Sequence, residues 1–180
     1  MPIKTFKNIS PKIADTAYVD ETAVIIGDVT IGEHASIWPM VVARGDYQAI
    51  VIGDRTNIQD GTVIHIASDN KLAPGGIPCV IGNNVTVGHK VMLHACTIGD
   101  NCLIGMSSTV LDGAVIEDNV MLGAGSFVPM GKRLESGYLY VGAPAKRIRE
   151  LSDKETYFIK YATDHYVESI EDHLQNKTIG

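Results

Sequence analysis

The sequence predicts a mainly β fold: a left-handed parallel β-helix, a triangular prism of hexapeptide repeats, followed by a C-terminal α-helix. Three observations carry this. Aliphatic residues recur every six positions over most of the 180 residues. A small residue or valine follows many of them four positions later. At Ser152 the beat stops and helical spacing replaces it. A helix repeats near 3.6 residues and a flat strand near 2, so neither accounts for six. A prism with three short strands per coil does, because one aliphatic per edge fills the interior.

Residues 1–12 form a lead-in. Ile13, Val19, Ile25, Ile31 and Ile37 then carry the beat, and Ala43 continues it. A nine-residue step across GDYQAIVIG leads to Ile52, Ile58 and Ile64. From Ile64 to Ile81 is seventeen residues, so about eleven are inserted. The insertion, near 67–79 (ASDNKLAPGGIPC), has the Pro, Gly and Asp of a surface loop, and long loops on rigid scaffolds often carry function. Ile81, Val87 and Leu93 resume the beat. After a five-residue step, Ile98, Ile104, Val110, Ile116, Leu122 and Val128 complete it. Val85, Val91, Cys102, Ser108, Ala114, Val120 and Ser126 are the small corner positions. The exit, KRLESGYLYVGAPAKRIREL, is less regular, with one more strand expected in Leu139–Val141. Ser152 to Glu155 forms a capping box, S-x-x-E. Phe158, Tyr161, Ala162, Val167, Ile170 and Leu174 then predict a helix over 153–174. The organisation expected is a prism over 1–150 and a helical segment over 151–180 packed on it.

Hydrophobic residues make up 45% of the chain and aromatic residues 6%, as suits a narrow interior filled by Val, Ile and Leu. The net charge of −6 gives no basic footprint for nucleic acid or an anionic membrane. The N-terminus, MPIKTFKNIS, has no apolar signal-peptide core, and no run approaches the ~20 apolar residues of a membrane span. The three cysteines, Cys79, Cys96 and Cys102, contain no C-x-x-C pair. They point to buried thiols in a reducing, cytoplasmic compartment.

Coil arithmetic places the histidines. One coil above Ile64, passing Ile81 and Val87, is Leu93. His65 and His94 each follow their aliphatic by one residue, so they stack on one edge, about 4.8 Å apart along the axis. One coil below Ile64 is Ala43, so Arg44 joins this outward column. His89 lies two past Val87, on the preceding edge, above Asp60 and beside Gln59. Two stacked histidines can share a metal, and a neighbouring copy would bring its own His89 to the column. A three-faced prism suits a threefold axis, which predicts a homotrimer with three seam sites. Three imidazoles with an open fourth position make a catalytic zinc arrangement. His34, His165 and His173 are assigned no role.

The segments ARGD (Ala43–Asp46), TNIQDGTVIH (Thr56–His65), VTVGHKVMLH (Val85–His94) and TIGDNCLIGM (Thr97–Met106) resemble the γ-class carbonic anhydrase family, most closely its short bacterial members. The likeness runs nearly the whole chain, through KRLESGYLYVGAPAK. It implies a metal held by His65 and His94 of one subunit and His89 of the next: Zn2+, with Fe2+ or Co2+ also suited to three imidazoles. It implies that Gln59 hydrogen-bonds the metal's water or the substrate. It implies that Arg44 and Asp46 form an ion pair between subunits, and that Asp60 orients Arg44 or a ligand histidine. The activity implied is hydration of CO2 to bicarbonate by metal-bound hydroxide, a lyase reaction, with no further cofactor, nucleic acid or membrane partner. The sequence departs from the family where a proton shuttle is expected. Tyr47 follows Asp46 in place of a glutamate, and the inserted loop offers only Asp69. Tyr138 or Tyr140 would be an alternative path, and hydration is expected to be weak.

Two other activities are compatible with the same residues. CoA-dependent hexapeptide acyltransferases share the prism, and GAPAK (Gly142–Lys146) resembles their terminal turn. A metal-dependent thioester hydrolase would use the same three histidines. A scaffold retaining a vestigial site is the non-enzymatic alternative.

Overall fold

A computed structural model describes residues 2–175. Met1 and residues 176–180, the end of the expected helical segment, lie outside the described residues. The chain winds as a β-solenoid with three faces of short parallel strands. One face stacks Val63–His65, Met92–His94, Thr109–Val110 and Phe127–Val128. The second stacks Cys79–Ile81, Thr97–Ile98, Val115–Ile116 and Arg133–Leu134. The third runs from Tyr18–Val19 through Asn57–Ile58 and Thr86–Val87 to Tyr138–Val141.

The six-residue beat fills the interior. Ile25, Ile37, Ile58, Ile64, Leu93, Ile104, Val110 and Leu122 are fully buried, and each sits in register above or below its counterpart. The corner residues Val85, Cys102, Ser108, Ala114 and Val120 are buried as well. Ile13 and Val19, on the outermost coil, are only partly covered.

Three segments are more structured than their spacing suggests. The nine-residue step is the second half of one long strand, Val42–Ile52, which belongs to both of the first two faces. It pairs with an equally unbroken neighbour, Val24–Ile31, through a register shift between Gly27 and Val29. Gly27 has φ +77° there, and a Cβ would collide with the carbonyl oxygen of Gly45. The lead-in contributes a strand, Ile3–Lys4, that pairs with Val24–Ile31. The exit turns back on itself: Lys146–Glu150 pairs antiparallel with Tyr138–Val141.

The helix spans Asp153–Gln175. Its capping box forms as expected. The Ser152 N–H donates to Glu155 Oε2 at 2.9 Å, and the Glu155 N–H donates to Ser152 Oγ at 3.4 Å. The helix lies on the third face, against Ser36–Ile37 and Thr86–Val87, burying Ile159, Thr163 and Ile170. Trp38 seats its far end, 5.3 Å from Tyr166 and 4.7 Å from His173 between ring centroids. No helix among the described residues is long and apolar enough to cross a membrane.

Candidate metal centre

The first face brings His65 and His94 together. Parallel pairing of Val63–His65 with Met92–His94 sets the two histidines opposite one another. Nδ1 of His65 and Nε2 of His94 lie 3.2 Å apart. The far nitrogen of each ring meets a carboxylate. Asp46 Oδ1 is 3.2 Å from His65 Nε2, and Asp112 Oδ1 is 2.5 Å from His94 Nδ1. An ionised carboxylate only accepts hydrogen bonds, so in the neutral rings the single N–H of each faces its aspartate. The two near nitrogens then face one another as lone pairs. With ~2.0–2.1 Å bonds and a tetrahedral angle, two nitrogens on one zinc ion stand about 3.3 Å apart. The donor set therefore fits a shared metal ion.

Ala43 pairs with Ile64, which sets Arg44 beside His65 as the column arithmetic requires. Its guanidinium pairs with Asp46 inside the same chain, so Asp46 serves both Arg44 and His65. Burial would raise the Asp46 carboxyl, but the hydrogen bond and charge of Arg44, helped by His65, hold it below the usual range. Burial and the neighbouring Arg44 charge push His65 below the ordinary imidazole value. That favours the neutral ring, the form that ligates metals.

His89 stands on the third face. Val87 pairs with Ile58, which sets His89 over Asp60, with Nδ1 2.9 Å from Asp60 Oδ2. Of the two roles expected for Asp60, the contact matches orientation of a histidine. Beside it, buried Gln59 donates from Nε2 to Asn57 Oδ1 at 3.1 Å. Asn57 in turn donates from Nδ2 to Thr86 Oγ1 at 2.9 Å. These bonds orient the Gln59 amide and leave Oε1 as an acceptor. Gln59 and His89 open onto a groove of about 450 Å³, walled by Met106, Met121, Phe158 and Tyr161. Among the described residues of one chain, no three His, Cys, Asp or Glu side chains converge as a metal set. The two clusters lie apart, on different faces of the prism.

A family model described as bacterial transferase hexapeptide (six repeats) matches residues 78–110 and 95–129. Protein YrdA of Escherichia coli (strain K12) is 49% identical over 172 residues, covering 96% of this chain and 94% of that protein. Gamma carbonic anhydrase 2, mitochondrial, of Arabidopsis thaliana is 40% identical over 97% of this chain and 64% of that protein. The chain belongs to the γ-carbonic-anhydrase-like family of hexapeptide-repeat proteins. A crystal structure of a hexapeptide transferase family protein from Anaplasma phagocytophilum, 40% identical, matches with a TM-score of 0.87 over 95% of this chain and 97% of that one. These names span a carbonic anhydrase and a transferase, so membership in the γ-carbonic-anhydrase-like family leaves the reaction to the chemistry of the site.

Spacing arguments missed Asp112, Asn57 and Thr86 in this γ-carbonic-anhydrase-like chain. Leu93 pairs with Val110, so the arithmetic that stacked the histidines would have put Asp112 one coil above His94 and one step round the corner. Asn57 lies in the strand Asn57–Ile58 and Gln59 directly follows it, two residues on, the spacing of residues on one side. Tyr138 and Tyr140, the alternative proton path, have partners of their own. The Tyr140 hydroxyl is engaged by the Glu135 N–H at 2.8 Å, and Tyr138 lies under Arg147. The cysteines are free and buried. Cys79 and Cys96 lie 3.9 Å apart between sulfurs. The Cys79 thiol and burial push Cys96 up, and burial pushes Cys102 to about 12, as befits inert thiols.

Proposed function

We propose that this chain is a metal-dependent, γ-carbonic-anhydrase-like enzyme that hydrates CO2 to bicarbonate. Its metal, zinc with iron(II) or cobalt(II) as alternatives, would be held by His65 and His94 of one subunit and the partner subunit's His89 in a homotrimer. The observation that carries this reading is the 3.2 Å approach of His65 Nδ1 and His94 Nε2, each ring held from behind by an aspartate. His89 repeats the arrangement with Asp60. Carboxylate–histidine–metal relays of this kind fix ring orientation and raise ligand basicity.

Exposed apolar side chains flank both half-sites, as a subunit seam requires. Met130 is 64% exposed and Leu72, at the tip of the inserted loop, 93%, and both neighbour Asp112. Met106, 53% exposed, lines the groove beside His89. Matching one face to the other closes a ring of three.

When bound, zinc lowers the pKa of its water to about 7. The chain's own groups do the rest. Gln59 Oε1 is placed to accept a hydrogen bond from water or hydroxide and hold it in position. Asp46, Asp60 and Asp112 keep the imidazoles oriented. The apolar seam limits bulk water. Among the described residues no hydrogen bond joins a glutamate to His65, His89 or His94, and buffer is expected to collect the released proton directly. The buried free thiols fit a reducing compartment such as the cytoplasm.

Acyl transfer is the second reading. The groove beside His89 and the transferase named among the structural relatives favour it. A single histidine base would suffice for that chemistry, and it gives no reason for two histidines to converge with both far nitrogens engaged. The test is metal content per chain on protein purified without added metal, then stopped-flow CO2 hydration at rising buffer concentration. One metal per chain and hydration that climbs with buffer are expected. Metal with no hydration at any buffer concentration would overturn the CO2 assignment. No metal, even after reconstitution, would overturn the reading and favour acyl transfer.

A further inference from the structure

The metal ligands are the family's, but the group behind His94 is a feature of this structure that no spacing rule singled out. Resting on the metal reading above, we infer that Asp112 is a positioning residue: it holds the His94 proton on Nδ1 and so presents Nε2 to the shared metal.

The geometry is specific. Asp112 follows the strand Thr109–Val110, which stacks directly on Met92–His94. The turn is held by the Gly131 N–H donating to the Asp112 carbonyl at 2.9 Å. From that fixed backbone the carboxylate reaches one coil down to His94 Nδ1 at 2.5 Å, a short contact with an ionised acceptor, the kind of hydrogen bond that charge strengthens. Its side chain is only 23% exposed. Leu72 and Ile77 of the inserted loop, with Met130, wall the same hollow, so water competes poorly for the carboxylate.

The consequence follows from the pairing of the two rings. Asp46 takes the N–H of His65 at Nε2, leaving Nδ1 toward the partner ring. Asp112 takes the N–H of His94 at Nδ1, leaving Nε2. The rings are held in opposite tautomers, and only that combination points two lone pairs at one position. If His94 carried its proton on Nε2 instead, that proton would lie between the rings and bond to His65 Nδ1, 3.2 Å away. Both donors would then be lost to the metal. Removing Asp112 makes that closed, non-ligating pair the favoured arrangement.

The experiment uses the full-length assembled protein with Asp112→Ala and Asp112→Asn. Nitrogen-15 histidine NMR on metal-free samples reads the His94 tautomer, and zinc competition against a chromophoric chelator reads affinity. The parent is expected to show the proton on Nδ1. Asp112→Ala is expected to shift it toward Nε2 and to lose zinc affinity by about 10–100-fold, the usual cost of removing such a partner. Asp112→Asn keeps a carbonyl acceptor and is expected to fall between them. Unchanged tautomer and unchanged affinity in Asp112→Ala, with zinc bound by the parent, would overturn the positioning role alone. A parent that binds no zinc would overturn the metal reading and this inference together. Should Asp112→Ala fail to fold, Asp112→Asn decides, and parental affinity there counts against the role.

Discussion

Subunit mixing tests the shared centre most directly. His89→Ala and His94→Ala each remove one half-site. His89 is partly exposed and its bonded partner is Asp60 at 2.9 Å, so its loss should change stability by no more than about 0.5 kcal/mol. Each variant alone should assemble and bind almost no metal. On the proposed reading, every seam in a ring of three takes His65 and His94 from one subunit and His89 from the next. A seam in a mixed ring is intact when its first subunit is the His89→Ala chain and its second the His94→Ala chain. Random equal mixing makes that true of about one seam in four. Metal content should therefore rise from near zero to about a quarter of the parent's. The assay is to unfold the two variants together, refold the mixture, dialyse against zinc and measure metal per chain by mass spectrometry. A centre built within one chain would recover nothing. Mixed rings without metal, or full metal in His89→Ala alone, would refute the shared site.

Two further outcomes probe the scaffold. Leu93→Ala deletes a fully buried side chain stacked between Ile64 and Val110. It should cost about 2–5 kcal/mol in urea denaturation, and a loss under about 1 kcal/mol would contradict a close-packed interior. Glu155 is pulled from 4.5 to about 2, first by the Arg149 hydrogen bond and then by the Ser152 N–H. Because its folded-state pKa lies below the unfolded one, its stabilisation is complete above pH 4.5 and is lost as the pH falls toward 2. Glu155→Gln should flatten the acid dependence of stability across that window. Identical acid profiles for parent and variant would show that the cap carries no proton linkage.

The prism was legible because its cause is local and repeated. Every edge needs one aliphatic inward and one small residue at the corner, so a period of six records the architecture directly. Register followed from the same count. It placed His94 over His65, Arg44 beneath them and His89 over Asp60, and all three relations hold in the structure. The capping box was equally readable, since both of its bonds lie within four residues.

Other features depended on the path of the chain through space. A count of steps could not tell that the segment after Ala43 crosses a corner as unbroken strand, because that rests on pairing with Val24–Ile31. Nor could it foresee the antiparallel return of Lys146–Glu150, which depends on the exit folding back. The direction of a side chain at a corner is likewise invisible to spacing. Asp112 meets His94, and Asn57 orients Gln59, because of where those turns and strands aim their side chains. Sequence alone determined the coil, the stacking of the histidines and the family to which they belong. Only the tertiary structure decided which carboxylate stands behind each ring and how closely the two remaining nitrogens approach, because those contacts depend on angles and distances of tenths of an ångström that a residue count does not contain.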